Sequence, residues 1–379
     1  MTTDPARDFL FVQSTTEIGG AEITLLNLLG ASEALRRRSV VASLGFGDGD
    51  LPARLRAAGV EVVDIPRARL RDPAGVVRMV LALRALIRAR GVRVVVGNGT
   101  HPQAVARAVA ALTRVKEVYI VHALHATPLS ANDRFSAGVL LAGADLMLAV
   151  SQAAADAVRR LRPRARVETL GNGTRIVPVD PADARAARAE LGAGPAHVLF
   201  TVIGRLQLGK GQDVFVEAAA KVASTLPAAR FAVVGSPTFA TDQPFADGLR
   251  ARAAALGLGE RIFFAGYRSD VARLMAGSDV VCQTSRYSES FGLVIVEVMV
   301  QGRPVIATRV GGPEEIIRTE EDGLLIAPDD AAALAGALSR LGGDAALRTR
   351  IGAAAAHAAR DRFDISAIAK KLLFQLDAI

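Results

Sequence analysis

The sequence predicts an α/β protein built from two doubly wound domains. Three observations predict it. Short runs rich in Val, Ile and Leu alternate with longer helical patterns. The runs are almost continuously apolar, as strands buried on both faces of a helix-covered parallel sheet must be. The alternation then restarts after residues 178–195, a segment holding three prolines. A chain of 379 residues also suits two domains, at roughly 100–200 residues each.

In the first half, strands are expected at 9–13, 40–44, 60–65, 92–98, 118–122, 145–151 and 167–172. Helical patterns at 20–36, 73–90, 101–114 and 151–161 fall between them. In the second of these, Val76, Val77, Val80, Leu81, Leu83, Leu86 and Ile87 make a broad apolar side, with Arg78, Arg84, Arg88 and Arg90 mostly opposite. In the second half, strands are expected at 197–204, 229–235, 261–267, 279–285, 304–310 and 323–328, with helices at 211–225, 245–257, 270–278 and 313–318. Residues 329–379 are Ala-rich and helical in pattern. The boundary is placed near residue 178, giving a first domain of 1–177.

Composition narrows the class. Hydrophobic residues are 51% and charged residues 22%, which excludes a disordered chain. A single cysteine, Cys282, excludes an intramolecular disulfide framework and a multi-cysteine zinc site. No apolar run reaches the ~20 residues that span a bilayer. The opening MTTDPARDFLFVQ lacks a signal-peptide layout, so the cytoplasm is the expected compartment. The net charge of +8 is uneven: residues 1–190 hold 26 basic and 18 acidic residues, and 191–379 hold 20 of each. The basic half suits an anionic acceptor or an anionic membrane surface, and Arg-rich composition is the bland alternative. With 4% aromatics, no Trp and no recognised motif, nucleic acid is not expected as a partner.

Doubly wound sheets bind ligands beyond the carboxyl ends of their strands, so the loops there carry the chemistry. The first, Ser14–Glu22, ends in the pair Gly19-Gly20 before a helix, which lets backbone amides approach an anion; a tight strand–helix turn reads equally well. The second runs Gly204-Arg205-Leu206-Gln207-Leu208-Gly209-Lys210-Gly211. Its two cations suit a diphosphate, Arg through its fork and Lys as a point charge, and Lys is one of only five in the chain. The third is Ser285 to Glu297, in which Glu289 and Glu297 are separated by seven residues. A helix starting near Ser290 would put its free amides beside Glu289. Glu297 is the only charge in FGLVIVEVMV, and burial there requires hydrogen bonds from a ligand or from the protein. The Val and Ile of that run favour strand on propensity alone. The fourth, Val310 to Ile316, reads as a helix start with Pro313 at its first position. The histidines show no metal-ligand spacing, and His122 closes a strand.

Taken together, these loops resemble the retaining, nucleotide-sugar-dependent glycosyltransferases of family four, which have the GT-B fold of two Rossmann-like domains facing across a cleft. ESFGLVIVE, followed by GRPVIATRVGGPEE, is the most specific element, with the GRL…KG and GGAE loops in order upstream. The resemblance covers essentially the whole chain. It implies a donor domain of 178–362 and a helix at 363–379 that crosses back to the first domain. It implies that Arg205 and Lys210 bind the donor diphosphate, that Glu297 holds the ribose hydroxyls and that Glu289 contacts the transferred sugar. Backbone amides of Ser290, Phe291 and Gly292 would surround sugar and phosphate, and Leu293 and Val294 would line the nucleoside region. Gly204, Gly235 and the backbone at Tyr267 and Arg268 would flank the nucleotide, and Gly19 and Gly20 would approach the diphosphate. His122 would contact the donor sugar, with His125 the competing assignment.

Two departures from the family pattern stand out: Gln283-Thr284-Ser285 where proline is frequent, and Leu170-Gly171-Asn172-Gly173-Thr174 before the linker. Both are expected to leave the charged core of the motif untouched. The resemblance implies a hexosyltransferase-type enzyme that is retaining, needs no metal or other cofactor and uses a nucleotide-diphosphate sugar, UDP-linked by family prior, as co-substrate. Its acceptor would be a hydroxyl of a cell-surface glycan or lipid-linked intermediate, reached in the cytoplasm or peripherally at the inner face of the membrane. A small-molecule glycosyltransferase, a GT-B nucleotide-sugar epimerase and a non-catalytic nucleotide-sugar-binding protein are the alternatives.

Overall fold

The structure is a computed structural model that describes residues 7–66, 72–122 and 144–379. The chain divides into two units: unit 1 is Met1–Arg175 with Asp364–Ile379, and unit 2 is Ile176–Phe363.

Unit 1 holds a seven-stranded parallel sheet of β1 (Phe9–Thr15), β2 (Ser39–Phe46), β3 (Glu61–Asp64), β4 (Val94–Asn98), β5 (Lys116–Val121), β6 (Leu146–Ala149) and β7 (Val167–Thr169), in the order β3-β2-β1-β4-β5-β6-β7. Phe9 pairs with Ser39 on one side and Val94 on the other. The strand order reverses between β1 and β4, the switch point at which such sheets bind ligands. Its helices before the crossing to unit 2, among the described residues, are α1 (Gly20–Ala31), α2 (Glu33–Arg37), α3 (Leu51–Ala57), α4 (Pro73–Arg90), α5 (Thr100–Thr113) and α6 (Gln152–Leu161). The helix expected over 20–36 breaks at Ser32, whose backbone is extended and whose Oγ accepts from the Leu35 amide at 3.2 Å, capping α2. Helix α3 was not among the expected elements; it starts after Asp50 with a proline in its first turn. Met79, Leu83 and Ile87 of α4, four residues apart, bury one stripe against Leu10, Val40 and Val95. Each such burial is worth roughly 1.5–3 kcal/mol.

Unit 2 repeats the plan. Strands β8 (Val198–Ile203), β9 (Ala229–Val234), β10 (Ile262–Gly266), β11 (Val280–Gln283), β12 (Val305–Thr308) and β13 (Leu324–Ile326) form a six-stranded parallel sheet, order β10-β9-β8-β11-β12-β13. Its switch point lies between β8 and β11. The helices are α7 (Pro181–Glu190), α8 (Gln212–Thr225), α9 (Gln243–Ala255), α10 (Val271–Gly277), α11 (Leu293–Val300), α12 (Gly312–Ile316), α13 (Ala331–Gly343) and α14 (Ala345–Arg362). Helix α11, LVIVEVMV, overrides its strand propensity because Ile295, Val296, Val298 and Met299 are all buried and it packs against α10, α14 and β12. It begins at Leu293, three residues later than the sequence suggested.

The last helix, α15 (Ile365–Asp377), belongs to unit 1 and packs on α1 through a buried stripe of Ile365, Ile368, Leu372 and Leu376. Arg38 ties it down: its two terminal nitrogens lie 2.9 and 2.6 Å from the Asp377 carboxylate, and its Nε lies 2.5 Å from Asp8. Where the chain leaves unit 1 and returns, Thr174 and Asp364 form a parallel bridge, with the Ile365 amide donating to the Thr174 carbonyl at 3.3 Å. Among the described residues, no helix is long and apolar enough to cross a membrane.

Candidate active site

In unit 2, the loops after β8 and β11 emerge side by side because those strands are neighbours at the switch point. The first turns through a short 3-10 segment, Leu208–Lys210, and ends at Gly211 with φ +64°. Only glycine fits there: a Cβ would stand 2.1 Å from the Thr284 carbonyl oxygen. The Thr284 hydroxyl donates to the Lys210 carbonyl at 2.8 Å, and the Arg286 amide to the Gly209 carbonyl at 2.9 Å. Arg286 also forks onto Asp213 with two contacts of 2.6 Å and reaches Asp329 at 2.7 Å. The two loops are thus clipped into one surface.

On that surface Lys210 Nζ lies 2.6 Å from Glu289 Oε2. The Ser285 hydroxyl donates to the same oxygen at 3.1 Å and the Gln283 amide at 3.3 Å, while Gln283 also donates to Ser285 at 2.6 Å. Glu289 Oε1 has no partner among the described residues. The expectation that the Gln283-Thr284-Ser285 departure leaves the charged core untouched is therefore corrected: two of its three side chains hold Glu289, and the third holds the Lys210 backbone. The Glu289 backbone is pinned as well, its amide donating to the Val310 carbonyl and its carbonyl accepting from the Gly312 amide, both at 2.8 Å. Gly312 begins α12, so Pro313 is its second residue and not its first.

Arg205 is exposed, with its guanidinium 5.5 Å from the Phe239 ring centre and no ion-pair partner among the described residues. Glu297 sits half-buried on α11, also without a hydrogen-bonding partner among the described residues. Burial pushes its carboxyl up to about 7. Leu293 and Val294 are half-buried beside it, while Phe291 is buried and packs edge-on against Phe363, ring centres 6.0 Å apart. Gly292, at φ +99°, caps α11 after Ser290 and Phe291. Gly204, Gly235 and Gly266 lie at adjoining strand ends: the Gly235 amide donates to Gly266 at 2.8 Å, and a Cβ on Gly235 would stand 1.9 Å from the Gly204 carbonyl oxygen. Next to them Tyr267 is exposed. The Arg268 side chain is engaged by Glu190 and Asp270 at 2.6–2.7 Å.

In unit 1, Gly19 and Gly20 open α1, but the Gly19 amide is already taken by Glu22 Oε2 at 3.1 Å. At the end of β5, His122 Nε2 lies 2.7 Å from Asn98 Oδ1, and burial pushes the imidazole down to about 4, so it is neutral near neutral pH. His125 and the loop residues 67–71 and 123–135 lie outside the described residues. Among the described residues, no group of three or more His, Cys, Asp and Glu is placed to hold a metal ion.

The sheets and the paired loops define a two-domain α/β protein of GT-B type. Residues 18–176 match the family model described as Glycosyltransferase Family 4, and residues 183–358 match that described as Glycosyl transferases group 1. The chain belongs to glycosyltransferase family four. It is 38% identical over 201 residues to a D-inositol 3-phosphate glycosyltransferase of Nocardia farcinica, a stretch covering 52% of this chain and 44% of that protein. The chain thus spans less than half the length of these curated relatives. Among solved structures, Anabaena Alr3699/HepE in complex with UDP and glucose is similar with a TM-score of 0.89 and 26% identity, covering 98% of this chain and 100% of that one. The sucrose-phosphate synthase of Thermosynechococcus elongatus is similar in fold, with a TM-score of 0.80 and 22% identity over 98% of this chain and 99% of that one.

Proposed function

We propose that this protein transfers a sugar from a nucleotide-diphosphate sugar, UDP-linked, to a hydroxyl acceptor with retention of configuration and without a metal. The observation that carries the reading is the surface joining β8 and β11. It carries the paired Lys210 and Glu289, with Arg205 in the same loop as Lys210 and Glu297 on the helix that follows, the side chains of both without a polar partner among the described residues. Cations and backbone amides suit a departing diphosphate, whose charge grows as the anomeric C–O bond breaks. The acceptor oxygen bonds to the anomeric carbon on the face the diphosphate leaves, and a phosphate oxygen takes the acceptor's proton. Glu289 contacts the transferred sugar, Glu297 receives the ribose hydroxyls, and His122 meets a sugar hydroxyl. Positioning and charge stabilisation account for the chemistry, with no protein nucleophile required. UDP as the nucleotide is supported by the likeness to the Anabaena protein solved with UDP and glucose.

The acceptor is read as a hydroxyl-bearing anion, a lipid-linked or cell-surface glycan intermediate met at an anionic membrane face, from the excess of basic residues in 1–190. The 38% identity to proteins named for D-inositol 3-phosphate favours a second reading, a small phosphorylated polyol. Calorimetry with UDP and other nucleoside diphosphates, followed by UDP release from a panel of UDP-sugars with each acceptor class, tests both. NMR of the product's anomeric centre tests retention. No nucleotide release with any activated sugar sinks the transferase reading, and equal sedimentation with neutral and anionic liposomes sinks the membrane contact.

A further inference from the structure

We propose that a buried relay of two amides, Gln13 and Asn98, anchored by Glu22, holds His122 as the Nε2–H tautomer and makes its Nδ1 an obligatory acceptor for a ligand hydroxyl. The inference deepens the sugar-contact reading of His122 and rests on it for its functional half. β1, β4 and β5 are consecutive in the sheet, so Gln13 on β1, Asn98 at the end of β4 and His122 just past β5 stand in a row. Asn98 Nδ2 lies 2.8 Å from Gln13 Oε1, and Gln13 Nε2 lies 2.9 Å from Glu22 Oε1. Both amide side chains are almost wholly buried, at 1% and 2% exposure, so the hydrogen bond between them is strong in a low-dielectric setting.

The direction of the relay follows from groups that can only accept. Gln13's outer contacts are the Glu22 carboxylate and the Thr15 carbonyl at 3.4 Å, so its NH2 faces them and its oxygen faces Asn98. Asn98's NH2 then faces Gln13 Oε1 and the Ala21 carbonyl at 3.3 Å, which leaves Oδ1 for His122. An oxygen there requires a proton on Nε2. Reversing the chain would need a protonated Glu22 and would set Asn98 Oδ1 against the Ala21 carbonyl. Glu22 is anchored in turn by the Gly19 amide, so the GGAE loop and the strand-end histidine are two ends of one network. Nδ1 has no partner among the described residues, and as a lone pair it accepts from a hydroxyl and repels a phosphate oxygen. Asn98, Gln13 and Glu22 are positioning residues: they act through His122.

Isotope-edited imidazole NMR of the full chain, with His122 assigned by His122→Gln, reads the tautomer without any substrate. The expected result is a single species with a proton on Nε2 and a bare Nδ1 from about pH 5 to about pH 8. A protonated Nδ1, or an even mixture of tautomers, overturns the relay. Glu22→Gln keeps size but replaces the acceptor-only anchor with a group that can also donate. With only the Thr15 and Ala21 carbonyls left to oppose reversal, a minor Nδ1–H form is expected to appear; a spectrum unchanged in that variant overturns Glu22 as the anchor. The functional half is read by Asn98→Leu, expected to lower kcat/KM for the sugar donor about 10-fold or more while leaving the Kd for UDP alone unchanged. Unchanged kcat/KM with an altered tautomer would overturn the role in the site. An inactive wild-type chain with the expected tautomer would instead remove the transferase reading and leave the relay standing.

Discussion

Lys210 Nζ and Glu289 Oε2 stand 2.6 Å apart across the join between the loops after β8 and β11. Neither side chain is fully covered, at 33% and 19% exposure, so the pair itself adds little stability. Its worth lies in placing a cation and a carboxylate at one point. Lys210→Ala is therefore expected to reduce kcat by about 100-fold or more while moving Tm by only a few degrees. Steady-state UDP release alongside calorimetry checks both; full turnover in the variant removes Lys210 from the site.

Glu297 makes a pH-dependent contribution to stability. Its carboxyl is held up to about 7 in the folded chain by burial, against 4.5 ordinarily. Below about pH 4 both folded and unfolded chains keep the proton and Glu297 has no effect. As pH rises the unfolded chain releases its proton first, and stability falls until the pH has passed the folded value. Glu297→Gln should consequently raise Tm relative to wild type near pH 8, with no such gain near pH 4. Thermal melts across that range measure it, and a gain independent of pH contradicts the assignment. On the proposed ribose contact of Glu297, the same variant should weaken UDP binding about 10-fold.

Gly211→Ala places a methyl group in a left-handed conformation and against the Thr284 carbonyl, 2.1 Å away. A loss on the order of 2–3 kcal/mol follows, together with loss of nucleotide binding as the two loops part. Chemical denaturation and calorimetry with UDP test the two effects; normal stability would show that the join between the loops is softer than its geometry implies.

Arg205 is exposed and carries no ion pair among the described residues, and its guanidinium lies over the Phe239 ring. Arg205→Ala should leave Tm unchanged and raise the Kd for UDP about 10-fold. Phe239→Ala should have a smaller effect of the same sign. A change in Tm larger than the change in affinity would make Arg205 a structural residue.

The fold was legible because strands buried on both faces leave no choice but apolar runs, and the glycine-bearing turns mark where each run stops. The same pattern hid three things. Ser32 broke a helix that apolar spacing alone carried through to 36, because a capping hydroxyl outweighs periodicity locally. The Val- and Ile-rich α11 is a helix through burial on several sides, which no single segment encodes. The polar partners of the site lay outside the recognised motif: Gln283 and Ser285 hold Glu289, and Gln13 and Asn98 hold His122. Their signal was present, since Gln13, Asn98 and Gln283 are each a polar residue at the carboxyl end of an apolar strand. Only the strand order shows which of them meet.

Unit 1 is made of two pieces of chain that meet at the Thr174–Asp364 bridge, whereas unit 2 is a single uninterrupted stretch. During synthesis all seven strands of the first sheet precede unit 2, but α15, which packs on α1 and whose Asp377 pairs with Arg38, follows it. At typical translation rates that interval is on the order of 10–40 s. Unit 2 has all of its strands before then. Unit 1 accordingly receives its last helix only after every strand of unit 2 has been made.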